Sequence, residues 1–337
     1  MPRLSILLPF RNAGATLPSC LDSITAQCFG DFELLAVNDH SNHASRRLVA
    51  ALAVRDRRVR LLDNPGRGLV SALNHGLRSA ATELIARMDA DDLMHPERLE
   101  RQYTHLFRHP RITLLGCAAE LFPRREIQAG YREYMRWQNR CLTPRQIADQ
   151  IYIESPFAHP SVIFRKQAVI ELGGYREGPF PEDYDLWLRL HHAGLRMEKL
   201  PDKLLRWRDY PQRTSRTDPR CSRQAFDRLR ADFLARDPRL LARREEFVIW
   251  GAGRKTRKRC NLLLEKGFNP KAWIDIDPRK IGNRLCGIPV VEPGWLAARR
   301  PRPFVLVYVT NHGARELIAA DLESMGYHQG EDFLAVG

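Results

Sequence analysis

The N-terminal part of the chain alternates between short apolar runs and amphipathic segments, and this alternation most constrains the fold. Apolar runs bounded by turn residues are typical of buried strands, whereas apolar residues three and four positions apart are typical of helices. Strands that alternate with helices form βαβ units around a mostly parallel sheet. We predict strands over residues 4–9, 32–37, 59–62 and 83–88, separated by helices over 17–28, 44–55 and 69–80.

Each of these strands ends in a turn that carries polar, proline or glycine residues. Pro9, Asp39, Gly66 and Asp89 each lie just past, or at the end of, a predicted strand. In parallel sheets, ligands bind beyond the carboxyl ends of the strands. We therefore expect these four positions to meet at one edge of the sheet, in a site suited to a nucleotide.

Three carboxylates, Asp89, Asp91 and Asp92, lie within four residues after the fourth strand. Like charges this close repel unless a cation offsets them. Mg²⁺ or Mn²⁺ suits such a group, because these ions bind carboxylate oxygens and keep further positions for water and substrate phosphates. The alternative is a solvated acidic turn that caps the helix beginning near Pro96, since Asp is common at turns and N-caps.

Length and composition bound the class of protein. A chain of 337 residues favours two domains, each large enough for its own core. No apolar run approaches the roughly 20 residues of a membrane helix, and the apolar N-terminus ends at Pro9, too early for a signal peptide. The seven cysteines are scattered without a CxxC pair, so we expect neither a disulfide framework nor a zinc site, and a cytoplasmic protein.

The net charge of +14 is concentrated in residues 195–244, which hold 15 Lys and Arg against 7 Asp and Glu. Such a segment suits nucleic acid, an anionic membrane face or a phosphate-bearing substrate, and a solvated Arg-rich helix is the alternative. The sequence has no recognisable nucleic-acid-binding module, so we expect no nucleic-acid partner.

The C-terminal residues carry a second glycine-rich turn. A strand at 247–250 runs into Gly251-Ala252-Gly253 and a helix, as a dinucleotide fingerprint requires, and Asp275 ends the next strand, where a ribose contact would lie. We predict a small Rossmann-like domain with a nucleotide site at Gly251, Gly253 and Asp275. It is short for a dehydrogenase and shows no catalytic set, so NAD chemistry is not expected. Packing, homodimer formation or a regulatory nucleotide are the alternatives.

Residues 3–210 resemble the family 2 glycosyltransferases with the GT-A fold. Five motifs in order carry the resemblance: Pro9-Phe10-Arg11-Asn12, Val37-Asn38-Asp39-His40-Ser41, Asn74-His75-Gly76-Leu77, Asp89-Ala90-Asp91-Asp92, and Gly173-Gly174-Tyr175 leading into Glu182-Asp183-Tyr184-Asp185. The chain departs from the family pattern at His40, where Gly is usual, and at Leu73, where Arg is common.

The resemblance implies a role for each residue at the nucleotide side. Asp91 is the leading metal ligand, and Asp89 binds the ribose or shares the metal. Asp39 accepts a hydrogen bond from the base, which suits the imide of uracil, while Pro9 and Asn12 line the base pocket.

The resemblance also implies residues for the transfer itself. Asp183 matches the general base, with Glu182 as its neighbour and acceptor contact, and direct attack with one base inverts the anomeric carbon. His159 reaches the same edge and would touch the diphosphate or the metal, a structural histidine being the alternative. Arg208 or Arg213 would meet the diphosphate.

These expectations define the predicted protein. Residues 1–210 form a GT-A domain, 211–244 a basic helical linker and 245–337 the Rossmann-like domain. The predicted activity is metal-dependent transfer of a hexosyl-type sugar from a UDP-sugar to a glycan or lipid-linked acceptor, in polysaccharide or glycolipid assembly. The basic segment would place the protein at the inner face of the cell membrane. The alternative function is an NAD-dependent sugar oxidoreductase that uses the C-terminal fingerprint.

Overall fold

Two β-sheets, each with its own helices, organise the chain. The computed structural model describes residues 2–123, 127–311 and 313–337. A first compact unit comprises residues 1–147 and 155–218, and a second comprises residues 148–154 and 219–337. In the described residues, no helix has both the length and the apolar character needed to cross a bilayer.

The first unit contains an eight-stranded sheet. Its strands are β1 (Leu4–Phe10), β2 (Phe32–Asn38), β3 (Val59–Asp63), β4 (Leu84–Arg87), β5 (Leu93–Met94), β6 (Ile112–Phe122), β7 (Ile163–Arg165) and β8 (Arg196–Arg208). The helices that begin in this unit are α1 (Leu17–Thr25), α2 (His43–Arg55), α3 (Leu69–Ser79), α4 (Arg98–Arg108), α5 (Ala129–Arg140), α6 (Pro144–Gln150), α7 (Lys166–Glu171), α8 (Glu182–His192) and α9 (Thr214–Thr217).

The strand order of this sheet is β3-β2-β1-β4-β7-β6-β8-β5. The first four strands are parallel, β7 is antiparallel to both β4 and β6, and β8 returns to a parallel pairing with β6. Every residue of β1 and β2 is buried, which is the environment that continuous apolar runs indicate. This mostly parallel α/β sheet confirms the predicted fold class.

The second unit has a smaller, mostly parallel sheet in the order β11-β12-β10-β9-β13-β14. Its strands are β9 (Phe247–Trp250), β10 (Trp273–Ile274), β11 (Arg284–Leu285), β12 (Ile288–Val291), β13 (Phe304–Val307) and β14 (Phe333–Ala335). Its helices are α10 (Arg223–Leu234), α11 (Pro238–Leu241), α12 (Arg254–Leu264) and α13 (Ala314–Ser324).

The compact units divide at other positions than the predicted domains. Residues 211–218 group with the first unit, because Arg216 pairs with the buried Asp209 at 2.7 Å just after β8. Residues 219–244 group with the second unit, where α10 packs against α12 and Tyr152 donates to Asp237 at 2.8 Å. The segment 211–244 is therefore divided between two cores.

Helix α5 and strand β8 were not predicted from the sequence. Helix α5 spans Ala129–Arg140, and residues 124–126 lie outside the described part of the chain. The 13-residue strand β8 includes several basic residues and Pro201. It forms because β6 and β5 provide hydrogen-bonding partners on both sides, a tertiary effect that outweighs local propensity.

Candidate functional site

The parallel strands β1, β2 and β4 end at the same edge of the first sheet, and the predicted site residues follow those ends. Pro9 is buried in β1 opposite Val37. Asp39 comes directly after β2, and Asp89 follows β4 by two residues. The α/β topology therefore gathers the polar turns as the sequence pattern indicated.

The acidic turn is a tight cluster. Asp89, Asp91 and Asp92 each offer a carboxylate oxygen, and these three atoms lie within 4.8 Å of one another. Asp92 is fully buried, and its Oδ2 has no hydrogen-bond partner in the described structure. A buried carboxylate oxygen without a partner, beside two further carboxylates, fits a hard divalent cation. Asp92 thus joins the predicted pair Asp89 and Asp91.

Burial and mutual repulsion dominate the electrostatics of this cluster. Burial raises the pKa of Asp91, and the charge of Asp89 raises it further. Burial also raises the pKa of Asp92 well above its ordinary value, and Asp91 and Asp89 add to the rise. These carboxyls therefore gain stability from any cation that offsets their charge.

Two buried arginines support the turn from below. Arg87, the last residue of β4, donates from Nη2 to Asp89 Oδ1 at 2.6 Å, and its side chain is 1% exposed. Arg98 on α4 donates to the Arg87 carbonyl at 3.0 Å. Arg87 was missed from the sequence; its signal was an arginine at the end of an otherwise apolar strand, two residues before Asp89.

The end of β8 and the residues that follow it contact the acidic turn. Arg208 donates from its backbone nitrogen to Asp92 Oδ1 at 2.7 Å and from Nε to the Asp91 carbonyl at 2.6 Å. The Tyr210 hydroxyl donates to Asp91 Oδ2 at 2.9 Å. Burial, with the charge of Asp91, raises the pKa of Tyr210, which keeps this hydroxyl a donor. Tyr210 was missed because nothing local distinguishes it.

The charge of Arg213 interacts with all three acids of the cluster. Its side chain is buried, lies 4.4 Å from the Trp207 ring and donates to the Tyr131 hydroxyl at 3.1 Å. Burial opposes its charge, but Tyr131 and the acidic cluster outweigh that effect and raise the pKa of Arg213. The guanidinium therefore stays charged beside the carboxylates.

The predicted base lies at the start of α8. Asp183 is partly exposed, and its Oδ1 accepts from the Tyr184 backbone nitrogen at 2.7 Å. Burial raises the pKa of Asp183 to about 8, and the charges of Glu182 and Asp89 add to this rise. Since the charge of Asp89 acts on Asp183, the base and the acidic turn lie within Coulombic range of each other.

His159 lies beside Glu182, in a largely enclosed position. Its Nε2 is 3.0 Å from the Tyr175 hydroxyl, and its Nδ1 is 3.8 Å from Glu182 Oε1. Burial, with Arg87 nearby, lowers the pKa of His159 well below its ordinary value, so the imidazole is neutral. Trp187 is fully buried against the His159 ring, as expected for a packing residue.

The turn after β2 uses its side chains to hold neighbouring turns. Asp39 Oδ1 accepts from Asn64 Nδ2 at 2.8 Å and from the Gly68 nitrogen at 2.9 Å. Asn12 Oδ1 accepts from the Asn42 nitrogen at 2.8 Å. His40, at φ 52°, has its Nε2 2.6 Å from a backbone carbonyl of the next turn, which accounts for a histidine at a position where glycine is usual.

The Asn74 motif and the Gly173-Gly174-Tyr175 motif are far apart in sequence but contact each other in the structure. The Asn74 amide donates to the Tyr175 carbonyl at 2.8 Å and accepts from the Tyr175 nitrogen at 2.9 Å. Gly174 has φ 68°, and a Cβ there would lie 2.6 Å from Asn74 Oδ1. These motif residues therefore join α3 to the segment that carries the Asp183 helix.

In the second unit, the residues predicted to bind a nucleotide lie close together, and Asp275 makes hydrogen bonds within the unit. Asp275 Oδ2 accepts from the Ala252 nitrogen at 2.9 Å and from Lys280 Nζ at 3.0 Å. Gly251 has φ 115°, and Gly253 precedes α12 with open space where a Cβ would lie. These contacts occupy the carboxylate that a nicotinamide dinucleotide would need for its ribose.

Part of the basic segment 195–244 turns inward. Three of its arginines form ion pairs within the chain: Arg216 with Asp209, Arg230 with Asp227, and Arg239 with Asp237. Arg208 and Arg213 contact the site, as described above. Exposed basic residues remain on α10, and α12, which packs against it, adds more: Arg223, Arg228, Arg254, Lys255 and Lys258.

Comparison with known proteins assigns the class. The sequence model of Glycosyl transferase family 2 matches residues 5–173. The amylovoran biosynthesis glycosyltransferase AmsE of Erwinia amylovora is 33% identical over 198 residues, which cover 57% of this chain and 70% of AmsE. The O-antigen biosynthesis glycosyltransferase WbnJ of Escherichia coli is 26% identical, over 64% of this chain and 82% of WbnJ. The chain therefore belongs to glycosyl transferase family 2 and is a glycosyltransferase.

Solved structures of low sequence identity share the fold. The S. aureus TarS 1–349 complex with UDP-GlcNAc matches with a TM-score of 0.52 and 16% identity, over 69% of this chain and 72% of that chain. The mannosyltransferase PcManGT from Pyrobaculum calidifontis, in complex with GDP-Man and Mn²⁺, matches with a TM-score of 0.50 and 20% identity, over 69% and 62%. The predicted GT-A fold is confirmed.

Proposed function

We propose that this chain is an inverting, metal-dependent transferase that moves a hexosyl-type sugar from a UDP-sugar to an acceptor hydroxyl. One observation carries the proposal: carboxylate oxygens of Asp89, Asp91 and Asp92 lie within 4.8 Å of one another, and the charge of Asp89 helps to raise the pKa of Asp183. A base for the acceptor and carboxylates for the donor diphosphate would then act at one site. The alternative oxidoreductase has no comparable observation in its favour.

On the donor side, Asp91, Asp89 and Asp92 would hold Mg²⁺ or Mn²⁺, and Asp89 would alternatively bind the ribose. The bound metal would supply Lewis-acid stabilisation of the charge on the leaving diphosphate. Arg213, a buried cation beside the cluster, and Arg208 would contact the diphosphate.

The base pocket is proposed at the neighbouring turn. Asp39 would accept the imide N–H of uracil, with Pro9 and Asn12 lining the pocket. Asp39 is already oriented by Asn64 and the Gly68 nitrogen, both through Oδ1, so Oδ2 is the oxygen for the base. The UDP-GlcNAc complex of TarS is consistent with a uracil nucleotide in this fold.

For the transfer, Asp183 would accept the proton of the acceptor hydroxyl as that oxygen attacks the anomeric carbon. A base works best when its pKa lies near the working pH, and burial with Glu182 moves Asp183 toward that range. His159 would contact the diphosphate as a neutral imidazole. Attack and departure on opposite faces of the sugar invert the anomeric centre.

The acceptor is proposed to be a glycan or lipid-linked sugar in surface polysaccharide or glycolipid assembly, by analogy with AmsE and WbnJ. The exposed cations on α10 and α12 would bind an anionic membrane surface, which places the protein at the inner face of the cell membrane. Vesicles with and without anionic lipid test this; equal binding to both would reject it. The second unit is proposed as the membrane-facing domain, and sedimentation would reveal a homodimer.

The test of the catalytic proposal is a screen of UDP- and GDP-sugars for acceptor-dependent nucleotide release. Turnover with a UDP-sugar, lost on metal chelation, is expected, and NMR of the product should show the inverted anomer. Asp91→Asn and Asp183→Asn serve as controls. Wild-type turnover in both variants would reject the site assignment.

A further inference from the structure

The backbone brings residues 208–213, which comprise the last residue of β8 and the segment that follows it, to the acidic turn. β5 begins one residue after Asp92 and pairs antiparallel with β8, which sets Leu93 opposite Arg206. Because strand pairing determines this register, the segment reaches the turn independently of its own side chains.

Within this segment, Arg208 and Tyr210 contact different parts of the turn. Arg208 binds the Asp91 carbonyl at 2.6 Å and Asp92 Oδ1 at 2.7 Å, so it holds the backbone of the turn and the buried acid. The Tyr210 hydroxyl binds the Asp91 carboxylate itself, at Oδ2 and 2.9 Å. Tyr210 therefore restricts rotation of the side chain that is proposed as the leading metal ligand.

The segment is anchored on its far side. Arg216 binds both carboxylate oxygens of Asp209, at 2.8 and 2.7 Å, and the Asp209 nitrogen donates to the Phe122 carbonyl at 2.8 Å. Asp209 is 1% exposed. The Arg213 nitrogen donates to the Tyr210 carbonyl at 3.2 Å. Tyr210 is thus held by a braced turn and can act as a fixed point for Asp91.

We propose that Tyr210 is a positioning residue that holds Asp91 with Oδ1 directed to the metal, an inference that rests on the proposed metal-dependent transfer. Groups that hydrogen-bond a metal ligand fix its orientation, and removing one typically weakens metal affinity about 10- to 100-fold. Tyr210→Phe removes the hydroxyl and keeps the ring.

The experiment is a calorimetric titration of the full chain with Mn²⁺ in the absence of donor. Tyr210→Phe is expected to bind Mn²⁺ about 10-fold more weakly than the wild type, with an unchanged melting temperature. Tyr103→Phe is the matched control and should bind Mn²⁺ like the wild type, because Tyr103 is partly buried and its ring lies 4.8 Å from that of Phe29. Asp91→Asn gives the reference for a lost ligand.

The outcomes separate the two proposals. If the wild type binds Mn²⁺ and Tyr210→Phe binds it equally or more tightly, the positioning role is rejected while metal dependence stands. If the wild type binds no Mn²⁺, the metal-dependent part of the proposed function fails, and the role of Tyr210 fails with it. If Tyr210→Phe lowers the melting temperature, the affinity for UDP is measured in EDTA. An unchanged UDP affinity, with weaker Mn²⁺ binding, supports the positioning role. A loss of UDP affinity as large as the loss of Mn²⁺ affinity rejects the positioning role.

Discussion

The two sheets of this protein treat the acids at their strand ends in opposite ways. In the first unit, Asp91 and Asp92 are crowded, their pKa values are raised, and Asp92 Oδ2 lacks a partner. In the second unit, burial opposes the charge of Asp275, but the Asp277 and Ala252 nitrogens and Lys280 outweigh it and lower the pKa. Carboxylates without compensating partners are candidates for ligand binding, whereas a carboxylate with such partners stabilises the fold.

The strongest test of this comparison exchanges one acid of each kind for its amide. Asp91→Asn should lower turnover at least about 100-fold, because the stabilisation of a leaving diphosphate is worth several kcal/mol. Asp275→Asn should leave turnover near the wild-type value. Both are read from initial rates of nucleotide release, and equal losses would show that the second sheet takes part in transfer.

The base provides the next largest effect. Asp183→Asn should lower kcat about 10²- to 10⁴-fold, the range typical of a lost general base. Since only the ionised carboxylate accepts a proton, the wild-type kcat/KM should rise with pH and level off above a pKa of about 8. A pH profile that is flat between 6 and 9 (roughly the range around the pKa of such a base) would contradict this role.

The free energy of unfolding should change in opposite directions when an acid with a raised pKa and an acid with a lowered pKa are each replaced by the amide. A carboxyl whose pKa is raised on folding contributes stability at low pH that is lost as the pH rises through the folded value, about 8 for Asp183. Asp183→Asn should therefore stabilise the protein by about 1 kcal/mol at pH near 9, after discounting for partial exposure.

Asp275→Asn should instead destabilise by about 1–3 kcal/mol at neutral pH, because Lys280 and the Ala252 nitrogen lose a charged acceptor. Its lowered pKa means that the stabilisation exists above the ordinary Asp range and disappears as the pH falls. Urea unfolding of both variants at several pH values measures these differences. Two changes of the same sign would remove the distinction between the sheets.

The last comparison concerns two glycines, one in each unit. A Cβ at Gly76 would lie 2.1 Å from Leu7 Cδ1 and 3.1 Å from Val37 Cγ2, so Gly76→Ala should cost about 1–3 kcal/mol of stability by overpacking. A Cβ at Gly253 would meet nothing within 4 Å, so Gly253→Ala should change stability by less than about 0.5 kcal/mol and leave turnover intact. A clear loss of turnover in Gly253→Ala would indicate a functional nucleotide turn in the second unit.

The local sequence pattern was sufficient to predict the central strands and the turns that follow them. The apolar runs that become β1 and β2 are buried over their whole length, and the turns after them carry the residues that the sequence indicated. It was insufficient for β8, whose basic residues resemble a solvated segment until β6 and β5 pair with it. The first compact unit extends to residue 218, and Arg216 pairs with Asp209 near this boundary.

The sequence by itself determined the alternation of strands and helices, the family, and the order of the acids at the strand ends, because each depends on residue type and short spacing. Only the tertiary structure decided that Tyr210 and Arg213 join the acidic turn, that Asp92 keeps an unpartnered oxygen, and that Asp275 is paired with Lys280. Charge compensation depends on distance and burial in space, and the compensating partner can lie close in sequence, as Lys280 does to Asp275, or 119 positions away, as Tyr210 does from Asp91.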